Sequence, residues 1–339
     1  MQNQLKLKPL DEQVIVITGA TSGHGLCTAQ MAASRGATVM LAARDESALK
    51  QVCADIRSEG GTVDYVVTDV SAEEDMQRLA DKTIEQFGGF DSWVNNAGIG
   101  VYAQVLDLEM EDHRKIFDTN YWGVVYGSVI AARHFKDRPG GGALINVGSI
   151  NSDMPGPILA SYNASKHAVK GFTDSFRIEL QMNGEPVSVT LIQPSAIGAP
   201  FPQHARNTTG FKARLPEPVY APKVVARAIL DAAQHTRRDV VVGGAGKFQI
   251  FGSAAFPHLF DRIAATMADK LIDREKPIPE QQGNLYEPQG NDGDVEGQQH
   301  GRHFTVTTAA GRHPWATAGT LAAVIAAGVW AVRSTKARA

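Results

Sequence analysis

Short apolar segments alternate with helical segments along most of this chain, and this alternation restricts the fold more than any other feature. Seven segments have the length and composition of strands: Val14–Ile17, Ala37–Ala42, Val63–Val67, Ser92–Val94, Ala143–Val147, Val187–Ile192 and Val240–Val242. Strands that are apolar on both sides and separated by helices form parallel sheets with right-handed crossovers. The sequence therefore predicts an α/β fold, with a doubly wound, mostly parallel sheet of about seven strands and helices on both faces.

The composition excludes several classes of protein. Of the 339 residues, 43% are hydrophobic and 20% are charged, which is typical of a globular chain. The formal net charge is -3, so no basic excess favours a nucleic-acid partner. Cys27 and Cys53 form neither a disulfide framework nor a pair of zinc ligands, and the ten histidines lack a metal-binding spacing. We therefore expect no metal, and a reducing compartment such as the cytoplasm.

The composition changes near residue 273, and this change predicts the domain organisation. Residues 1–273 carry the alternating pattern and are predicted to form the main domain. Residues 274–313 are polar and rich in glycine, which is typical of a flexible linker. Eighteen uncharged residues follow from Trp315 to Val332, and 14 of them are hydrophobic. A helix of that length is about 27 Å long, close to the ~30 Å core of a bilayer.

We therefore predict a single transmembrane helix over residues 314–333 and a basic tail over residues 334–339. Trp315 and Trp330 stand near the two ends of the helix, as is typical of membrane interfaces, and Lys336 and Arg338 follow in the tail. The alternative is a soluble helix that packs on the sheet, because alanine contributes little to membrane insertion. If the span forms, the protein is membrane-associated and its main domain lies in the cytoplasm.

A glycine-rich turn follows the first predicted strand. It reads Thr18-Gly19-Ala20-Thr21-Ser22-Gly23-His24-Gly25. Glycines between a strand and a helix allow backbone amides to approach a pyrophosphate, whose charge the helix N-terminus stabilises. The turn therefore predicts dinucleotide binding and a Rossmann-like sheet. A merely flexible turn is the alternative, and the position of the glycines within a strand-helix-strand unit makes it the weaker one.

Further motifs follow in order: Asp69-Val70, Asn95-Asn96-Ala97-Gly98, Asn120, Ser149 and Tyr162-Asn163-Ala164-Ser165-Lys166. With the spacing Gly-x-x-x-Gly-x-Gly of the turn, they resemble the classical short-chain dehydrogenase/reductase family over about residues 12 to 245. The resemblance implies that residues 1–273 are a catalytic domain that binds NAD(P), acts on a small-molecule carbonyl or alcohol, and self-associates as a homo-oligomer.

The resemblance also implies which residues contact the cofactor. They comprise the glycine turn, positions near four strand ends and two residues of a predicted helix: Gly19, Thr21, Ser22, Gly23, His24, Gly25, Arg44, Asp69, Val70, Asn96, Ala97, Gly98, Tyr162, Lys166, Pro194 and Ile197. Asp69 is expected near the adenine ring, although a helix-start role is the alternative reading. His24 stands where the family has an aliphatic residue; a local capping role is expected of it, and a phosphate contact is the alternative. Ala199 replaces a threonine, which puts one hydrogen bond to the nicotinamide in doubt.

The end of the second predicted strand indicates the cofactor. A carboxylate at this point holds the 2'-hydroxyl of NAD(H), whereas a cation suits the 2'-phosphate of NADP(H). Ala43 occupies the expected acidic position and Arg44 follows it. Arginine can bind a phosphate with two hydrogen bonds and stack on adenine. The sequence therefore predicts a preference for NADP(H), and the neighbouring Asp45 leaves NAD(H) open.

Tyr162 and Lys166 are the predicted catalytic pair. They stand four residues apart on a predicted helix and therefore share one face. A phenol titrates near 10, and a nearby ammonium and the positive nicotinamide both favour the phenolate, so we predict that Tyr162 acts as general acid/base with a lowered pKa. Ser149, at the end of the fifth strand, is predicted to bind the same substrate oxygen. The resemblance implies that Lys166 also holds the nicotinamide ribose and that Asn120 positions a water in a proton relay.

These features predict an NADP(H)-dependent oxidoreductase that interconverts a carbonyl and a secondary alcohol, with a lipophilic substrate at a membrane. The alternative is a membrane scaffold that senses NADPH without catalysis, although such a protein needs none of the four catalytic residues. Residues Phe201–Pro218 are predicted to cover the substrate. The apolar segment Phe248–Leu271 is predicted to be a packing or association helix.

Overall fold

The computed structural model describes residues 5–289 and 293–305. In this part of the chain the strands are β1 (Val14–Thr18), β2 (Thr38–Ala43), β3 (Val63–Val67), β4 (Ser92–Asn95), β5 (Val101–Tyr102), β6 (Gly142–Val147), β7 (Val187–Pro194), β8 (Arg206–Asn207), β9 (Phe211–Ala213), β10 (Asp239–Val242) and β11 (Ile272–Pro277). The α-helices are α1 (Gly23–Ala33), α2 (Glu46–Ser58), α3 (Glu73–Phe87), α4 (Met110–Phe117), α5 (Gly123–Lys136), α6 (Ala160–Met182), α7 (Phe201–His204), α8 (Pro222–Gln234), α9 (Gly244–Ala255), α10 (Pro257–Ala265) and α11 (Ala268–Leu271).

Seven of these strands form one sheet, in the order β10-β7-β6-β4-β1-β2-β3. Every neighbouring pair in this sheet is parallel. The seven predicted strands and the Rossmann-like parallel sheet are therefore confirmed. β1 lies between β2 and β4, so the strand order reverses beside it, and the carboxyl ends of these strands open a crevice.

Helices cover both faces of the sheet. Ile15 and Ile17 of β1 pack into one core with Leu26 of α1 and Ile229 of α8. Val16 points to the opposite face, because successive side chains of a strand alternate, and it packs into a second core with α3 and α5 residues. The fixed sheet between the two cores holds the strand ends that form the crevice.

The helical pattern of the sequence over Glu111–Phe135 is interrupted in the structure. α4 ends at Phe117, a π-helical turn occupies Asp118–Trp122, and α5 begins at Gly123. Apolar periodicity continues through such a turn, so the pattern gave no sign of it. π-helical turns frequently occur at functional sites, and this one carries Asn120.

The predicted helix Phe248–Leu271 is likewise divided, into α9, α10 and α11. The break lies at Phe256, whose backbone is non-helical and which precedes Pro257. Five apolar side chains of this region are more than half exposed: Phe248, Phe251, Phe256, Leu259 and Ile263. The prediction of packing is wrong for these five side chains, and association stays a prediction.

The interpretation of residues 274–313 as a flexible linker is wrong for their described part. β11 pairs antiparallel with β9, Leu285 is fully buried, and Val295 packs against the core of the sheet. Further on, the Arg302 amide donates to the Val219 carbonyl at 2.9 Å. This segment is held to the rest of the domain by isolated apolar side chains and by backbone hydrogen bonds. Neither kind of contact produces a periodic apolar pattern, so the sequence does not indicate that the segment is packed.

No helix within residues 5–289 and 293–305 is long and apolar enough to cross a membrane. The predicted span over residues 314–333 and the tail over residues 334–339 lie outside the described residues.

Candidate active site

A groove of about 150 Å³ opens at the carboxyl ends of β1, β2 and β4. Its lining contains twelve of the residues predicted to contact the cofactor: Gly19, Thr21, Ser22, Gly23, His24, Gly25, Arg44, Asp69, Val70, Asn96, Ala97 and Gly98. The structure therefore brings these residues together from the turn after β1 and the ends of β2, β3 and β4.

Close backbone packing explains the glycines of the turn. A Cβ atom on Gly25 would lie 2.1 Å from the Gly19 carbonyl oxygen, and Gly19 has a φ of +64° beside Ala97. Asn96 closes the turn from β4, because its Nδ2 donates to the carbonyls of Thr18 and Gly19 at 2.8 and 3.0 Å. The turn is thus held against β4 with no room for larger side chains.

The N-terminus of α1 faces this groove with partly used amides. The amide of Gly23 donates to the Asp294 carbonyl at 2.9 Å, and the amide of Gly293 donates to the Thr21 carbonyl at 2.9 Å. The amides of His24 and Gly25 also belong to the first turn, which no helical carbonyl can reach. A helix N-terminus with such amides favours a phosphate.

Asp69 lies at the opposite side of the groove. Its Oδ1 accepts from the amide and the hydroxyl of Ser71 at 2.9 and 2.7 Å, and Lys115 Nζ lies 3.5 Å from Oδ2. Burial acts to raise the pKa of Asp69, but these hydrogen bonds and the charges of Lys115 and Arg44 outweigh it and lower the pKa. The carboxylate is therefore ionised and already hydrogen-bonded within the loop that follows β3.

Arg44 reaches the predicted groove but is bonded to a part of the chain that sequence reasoning missed. Its Nη1 donates to the Tyr286 carbonyl at 2.7 Å and its Nη2 donates to the Asn284 carbonyl at 2.5 Å. Asn284, Pro288 and Gln289 also line the groove. Only the aromatic Tyr286 and the apolar Leu285 in an otherwise polar segment could have indicated that this segment folds back.

A second cavity, of about 200 Å³, adjoins the groove. The two share His24, Asn96, Gly98, Ala199 and Phe201. The remaining predicted site residues, apart from Asn120, line this cavity: Ser149, Tyr162, Lys166, Pro194 and Ile197. Its other walls are mainly apolar: Tyr102, Met154, Leu159, Leu215, Phe260, Ala264, Met267 and Leu271.

Tyr162 stands near the start of α6. Its side chain is hydrogen-bonded to that of Ser149, which follows β6, and its ring centroid lies 5.4 Å from that of Phe201. Burial raises the pKa of Tyr162, and the hydrogen bond to Ser149 opposes this shift without cancelling it. The prediction of a lowered pKa is therefore wrong for the protein without a bound dinucleotide, because burial disfavours the phenolate.

Lys166 is buried one turn further along α6. Its Nζ donates to the Val147 carbonyl at 3.0 Å and lies 5.7 Å from the Tyr162 ring centroid. Burial lowers the pKa of Lys166 to about 8. A buried ammonium with so few partners is costly, which is typical of a group kept for function.

Asn120 lies in the π-helical turn and is fully buried. Its Oδ1 accepts from the Ile99 amide at 2.8 Å, and its Nδ2 donates to the Ile99 carbonyl at 2.9 Å and to Ser165 Oγ at 3.1 Å. These bonds use both donor hydrogens of the side-chain amide. Asn120 therefore connects the loop after β4 to α6, and its side chain has no donor left for a relay water.

His24 stands between the groove and the cavity. Its Nδ1 is buried and has no hydrogen-bond partner among the described residues. Burial, with a smaller effect of the Lys166 charge, lowers the pKa of His24 to about 4. The ring is therefore neutral near pH 7, and the predicted local capping role has no hydrogen bond through Nδ1.

Both ends of the segment Phe201–Pro218 line the cavity, and its role as a substrate cover stays a prediction. α7 begins it, and Leu215 to Pro218 line the cavity wall. Sequence reasoning missed the contribution of α10 and α11 to that wall, through Phe260 and Leu271. Cys27 and Cys53 are buried free thiols. Within the described ranges no three His, Cys, Asp or Glu side chains are grouped as a metal site.

A family model described as short chain dehydrogenase matches residues 13–210. The chain belongs to the short-chain dehydrogenase family. It is an oxidoreductase with a Rossmann-like fold of the kind that binds NAD(P), as the resemblance implied.

Two relatives of this short-chain dehydrogenase are informative. An uncharacterized oxidoreductase, YxnA, of Bacillus subtilis is 43% identical over 85% of this chain and 81% of its own length. An 11-beta-hydroxysteroid dehydrogenase A of Sesamum indicum is 38% identical over 56% of this chain. The chain spans about half the length of that relative, 54%.

A solved structure has a similar fold. A short-chain dehydrogenase/reductase of Burkholderia phymatum, in complex with NAD, superposes with a TM-score of 0.67 at 27% identity. The similarity covers 75% of this chain and 96% of that one.

Proposed function

We propose that this protein is an NADP(H)-dependent oxidoreductase that interconverts a carbonyl and a secondary alcohol, with Tyr162 as the general acid/base. One observation carries the proposal. Ser149, Tyr162 and Lys166 all line one mainly apolar cavity, and this cavity shares residues with the groove that suits a dinucleotide.

The groove fits a dinucleotide by its own geometry. Gly19 and Gly25 allow the turn to pack closely against Ala97 and Asn96, and the first-turn amides of α1 provide an anion site. Gly19 to Gly25 would hold the pyrophosphate, Asp69 and Arg44 would lie at the adenosine end, and Lys166, Pro194 and Ile197 would lie at the nicotinamide end. The chemistry that the bound dinucleotide supplies is hydride transfer.

Tyr162 performs the proton transfer. In the reductive direction its hydroxyl donates a proton to the substrate carbonyl oxygen, and the raised pKa keeps the phenol in the form that donates. Ser149, hydrogen-bonded to Tyr162, offers its hydroxyl to the same oxygen as negative charge develops. The charged Lys166 lies near the ring and stabilises the phenolate that remains. In the oxidative direction the phenolate accepts the proton.

The cavity favours a lipophilic substrate. Apart from Ser149, Tyr162 and Lys166, its walls are formed largely by side chains such as Met154, Leu159, Phe260 and Met267. An apolar cavity with a few convergent polar groups suits an apolar molecule with one reactive oxygen. The hydroxysteroid dehydrogenases among the relatives support a steroid-like ketone or alcohol as the first class to test.

Cofactor titration and a substrate panel test the proposal. Fluorescence titrations of the full chain should give tight binding of NADPH and weaker binding of NADH, and Arg44→Asp should reverse this order. Steroid and other lipophilic ketones should then oxidise NADPH in the presence of the enzyme. If NADPH binds and no ketone or aldehyde consumes it, the NADPH-sensing scaffold becomes the better account.

Membrane association and the cytoplasmic location are parts of the same proposal. They rest on the uncharged run Trp315–Val332. Fractionation of cells that express the full chain, beside a chain that ends at Gly311, tests the anchor. We expect the full chain in the membrane fraction, and equal release of both chains into the soluble fraction would contradict the proposed anchor.

Self-association stays a prediction that sedimentation of the full chain can test.

A further inference from the structure

The guanidinium group of Arg44 is held between two backbone carbonyls from a distant part of the chain. Nη1 donates to the Tyr286 carbonyl at 2.7 Å and Nη2 donates to the Asn284 carbonyl at 2.5 Å. We name this arrangement the carbonyl clamp. Arg44 follows β2 at the groove, so the clamp fixes the cation that stands where a cofactor 2'-phosphate is recognised.

Tyr286 anchors the clamp through its own side chain. Its hydroxyl donates to Asp112 Oδ1 at 2.7 Å. Asp112 belongs to α4, is 2% exposed, and forms an ion pair with Arg206 at 3.1 Å. Burial and the Asp112 carboxylate raise the pKa of Tyr286, so the phenol stays protonated and continues to donate. The Tyr286 carbonyl is therefore tied to a fixed helix.

The clamp leaves Arg44 able to bind an anion. Carbonyl oxygens carry no formal charge, and they use one hydrogen on each of the two terminal nitrogens, so further donors remain. The neighbouring Asp45 is occupied elsewhere, because its Oδ1 accepts from the Ala48 amide and the Ser47 hydroxyl at 3.0 and 2.8 Å. Among the described carboxylates none forms an ion pair with Arg44.

We propose that Tyr286 is a positioning residue for cofactor selection, which acts by holding Arg44 ready for the 2'-phosphate of NADP(H). This inference rests on the proposed preference for NADP(H). A long flexible side chain normally loses rotamer freedom when it binds a ligand, and a side chain that is already held loses less. This smaller entropy loss favours only a ligand whose 2'-phosphate contacts Arg44. The clamp therefore contributes to selectivity for NADP(H) over NAD(H).

Tyr286→Phe tests the clamp by removing one hydroxyl. Tyr286 is 38% exposed, so the change leaves little empty space. Loss of about one hydrogen bond should weaken NADPH binding about fivefold in a fluorescence titration, and NADH binding should stay the same. The NADPH KM should rise while kcat at saturation is unchanged. Tyr126→Phe, on α5, is the matched control and should alter neither dissociation constant.

A double-variant cycle separates positioning from general damage. In an Arg44→Ala background, Tyr286→Phe should change NADPH binding no further, because the residue acts only through Arg44. Equal weakening of NADPH and NADH by Tyr286→Phe would overturn the inference, as would an unchanged NADPH dissociation constant. If Arg44→Ala abolishes the preference for NADPH over NADH and Tyr286→Phe leaves that preference unchanged, the inference about Tyr286 is wrong. The proposed role of Arg44 then still stands. A wild-type protein that binds both dinucleotides equally would overturn the clamp and the proposed cofactor preference together.

Discussion

The Nζ of Lys166 lies 5.7 Å from the ring centroid of Tyr162, one helical turn away on α6. Burial disfavours the charged form of both groups. It raises the pKa of the phenol and lowers the pKa of the amine to about 8. The protein therefore holds both groups nearer to their neutral forms than water would. This is a site in which a further charge, such as that of a bound cofactor or a developing oxyanion, changes proton affinities strongly.

Removal of the Tyr162 hydroxyl should abolish turnover and leave dinucleotide binding nearly unchanged. Tyr162→Phe deletes the proton donor, so kcat should fall by about 10² to 10⁴. The NADPH dissociation constant should stay within about twofold, because the ring remains in place beside Phe201. Steady-state rates and fluorescence titration measure the two effects, with Tyr126→Phe as the control. Undiminished turnover would remove Tyr162 from the mechanism.

Lys166 should reduce the stability of the protein that contains no dinucleotide. Its folded-state pKa of about 8 lies below the ordinary 10.5. Between these values the unfolded chain binds more protons, so stability rises with pH through this window and is lowest below it. Lys166→Met should therefore raise the free energy of unfolding by about 1 to 2 kcal/mol near pH 7, and by less near pH 10.

Urea denaturation at the two pH values measures this difference, and activity should be lost at both. A variant that is destabilised equally at the two pH values would show that the Lys166 charge is not the cause.

His24 should make the protein sensitive to acid. Its pKa of about 4 lies below the ordinary 6.5, so the unfolded chain takes up the proton first as the pH falls. Stability is complete above about 6.5 and declines toward 4. The difference in free energy of unfolding between His24→Leu and the wild type should be about 1 to 2 kcal/mol more favourable to the variant at pH 5 than at pH 8. Thermal unfolding at both pH values is the measurement, and a difference that does not depend on pH would contradict the burial of a neutral ring.

Two glycine substitutions should have opposite effects. Gly25→Ala places a Cβ atom 2.1 Å from the Gly19 carbonyl oxygen, which belongs to the backbone and cannot move aside cheaply. We expect a loss of about 1 to 3 kcal/mol in stability, and at least tenfold weaker dinucleotide binding. Gly171→Ala, in the interior of α6 with no atom within 4 Å of the new Cβ, is the control and should gain up to about 1 kcal/mol. Equal behaviour of the two variants would argue against the packing described for the turn.

The sheet was predictable because its strands are buried on both sides. All six residues of β6 are buried, so its side chains could only be apolar or internally bonded, and such a run stands out in a sequence. Asn146 is the instructive member. It is buried and donates to Thr173 Oγ1 at 3.0 Å, which is a contact that no local pattern reveals.

The parts of the candidate site that require a particular side chain were predictable from the sequence. The parts that are built from backbone groups were not. Gly25 has no room for a Cβ atom, and Asn96 donates its side-chain amide to the turn, so both functions depend on residue type and the motif contains them. The clamp on Arg44 uses carbonyl oxygens, which every residue possesses, and therefore leaves no trace in the types of Asn284 and Tyr286. The π-helical turn around Asn120 and the raised pKa of Tyr162 likewise depend on tertiary packing rather than on spacing.

The distance along the chain between Arg44 and Tyr286 has a consequence for biosynthesis. The two residues are 242 positions apart. During translation the glycine turn and β2 leave the ribosome early, whereas the wall that completes the groove beside Arg44 is synthesised near the end. We expect chains released before Asn284 to carry the nucleotide motif without its outer wall. Dinucleotide binding would then distinguish finished chains from unfinished ones, and a ligand could stabilise only the former.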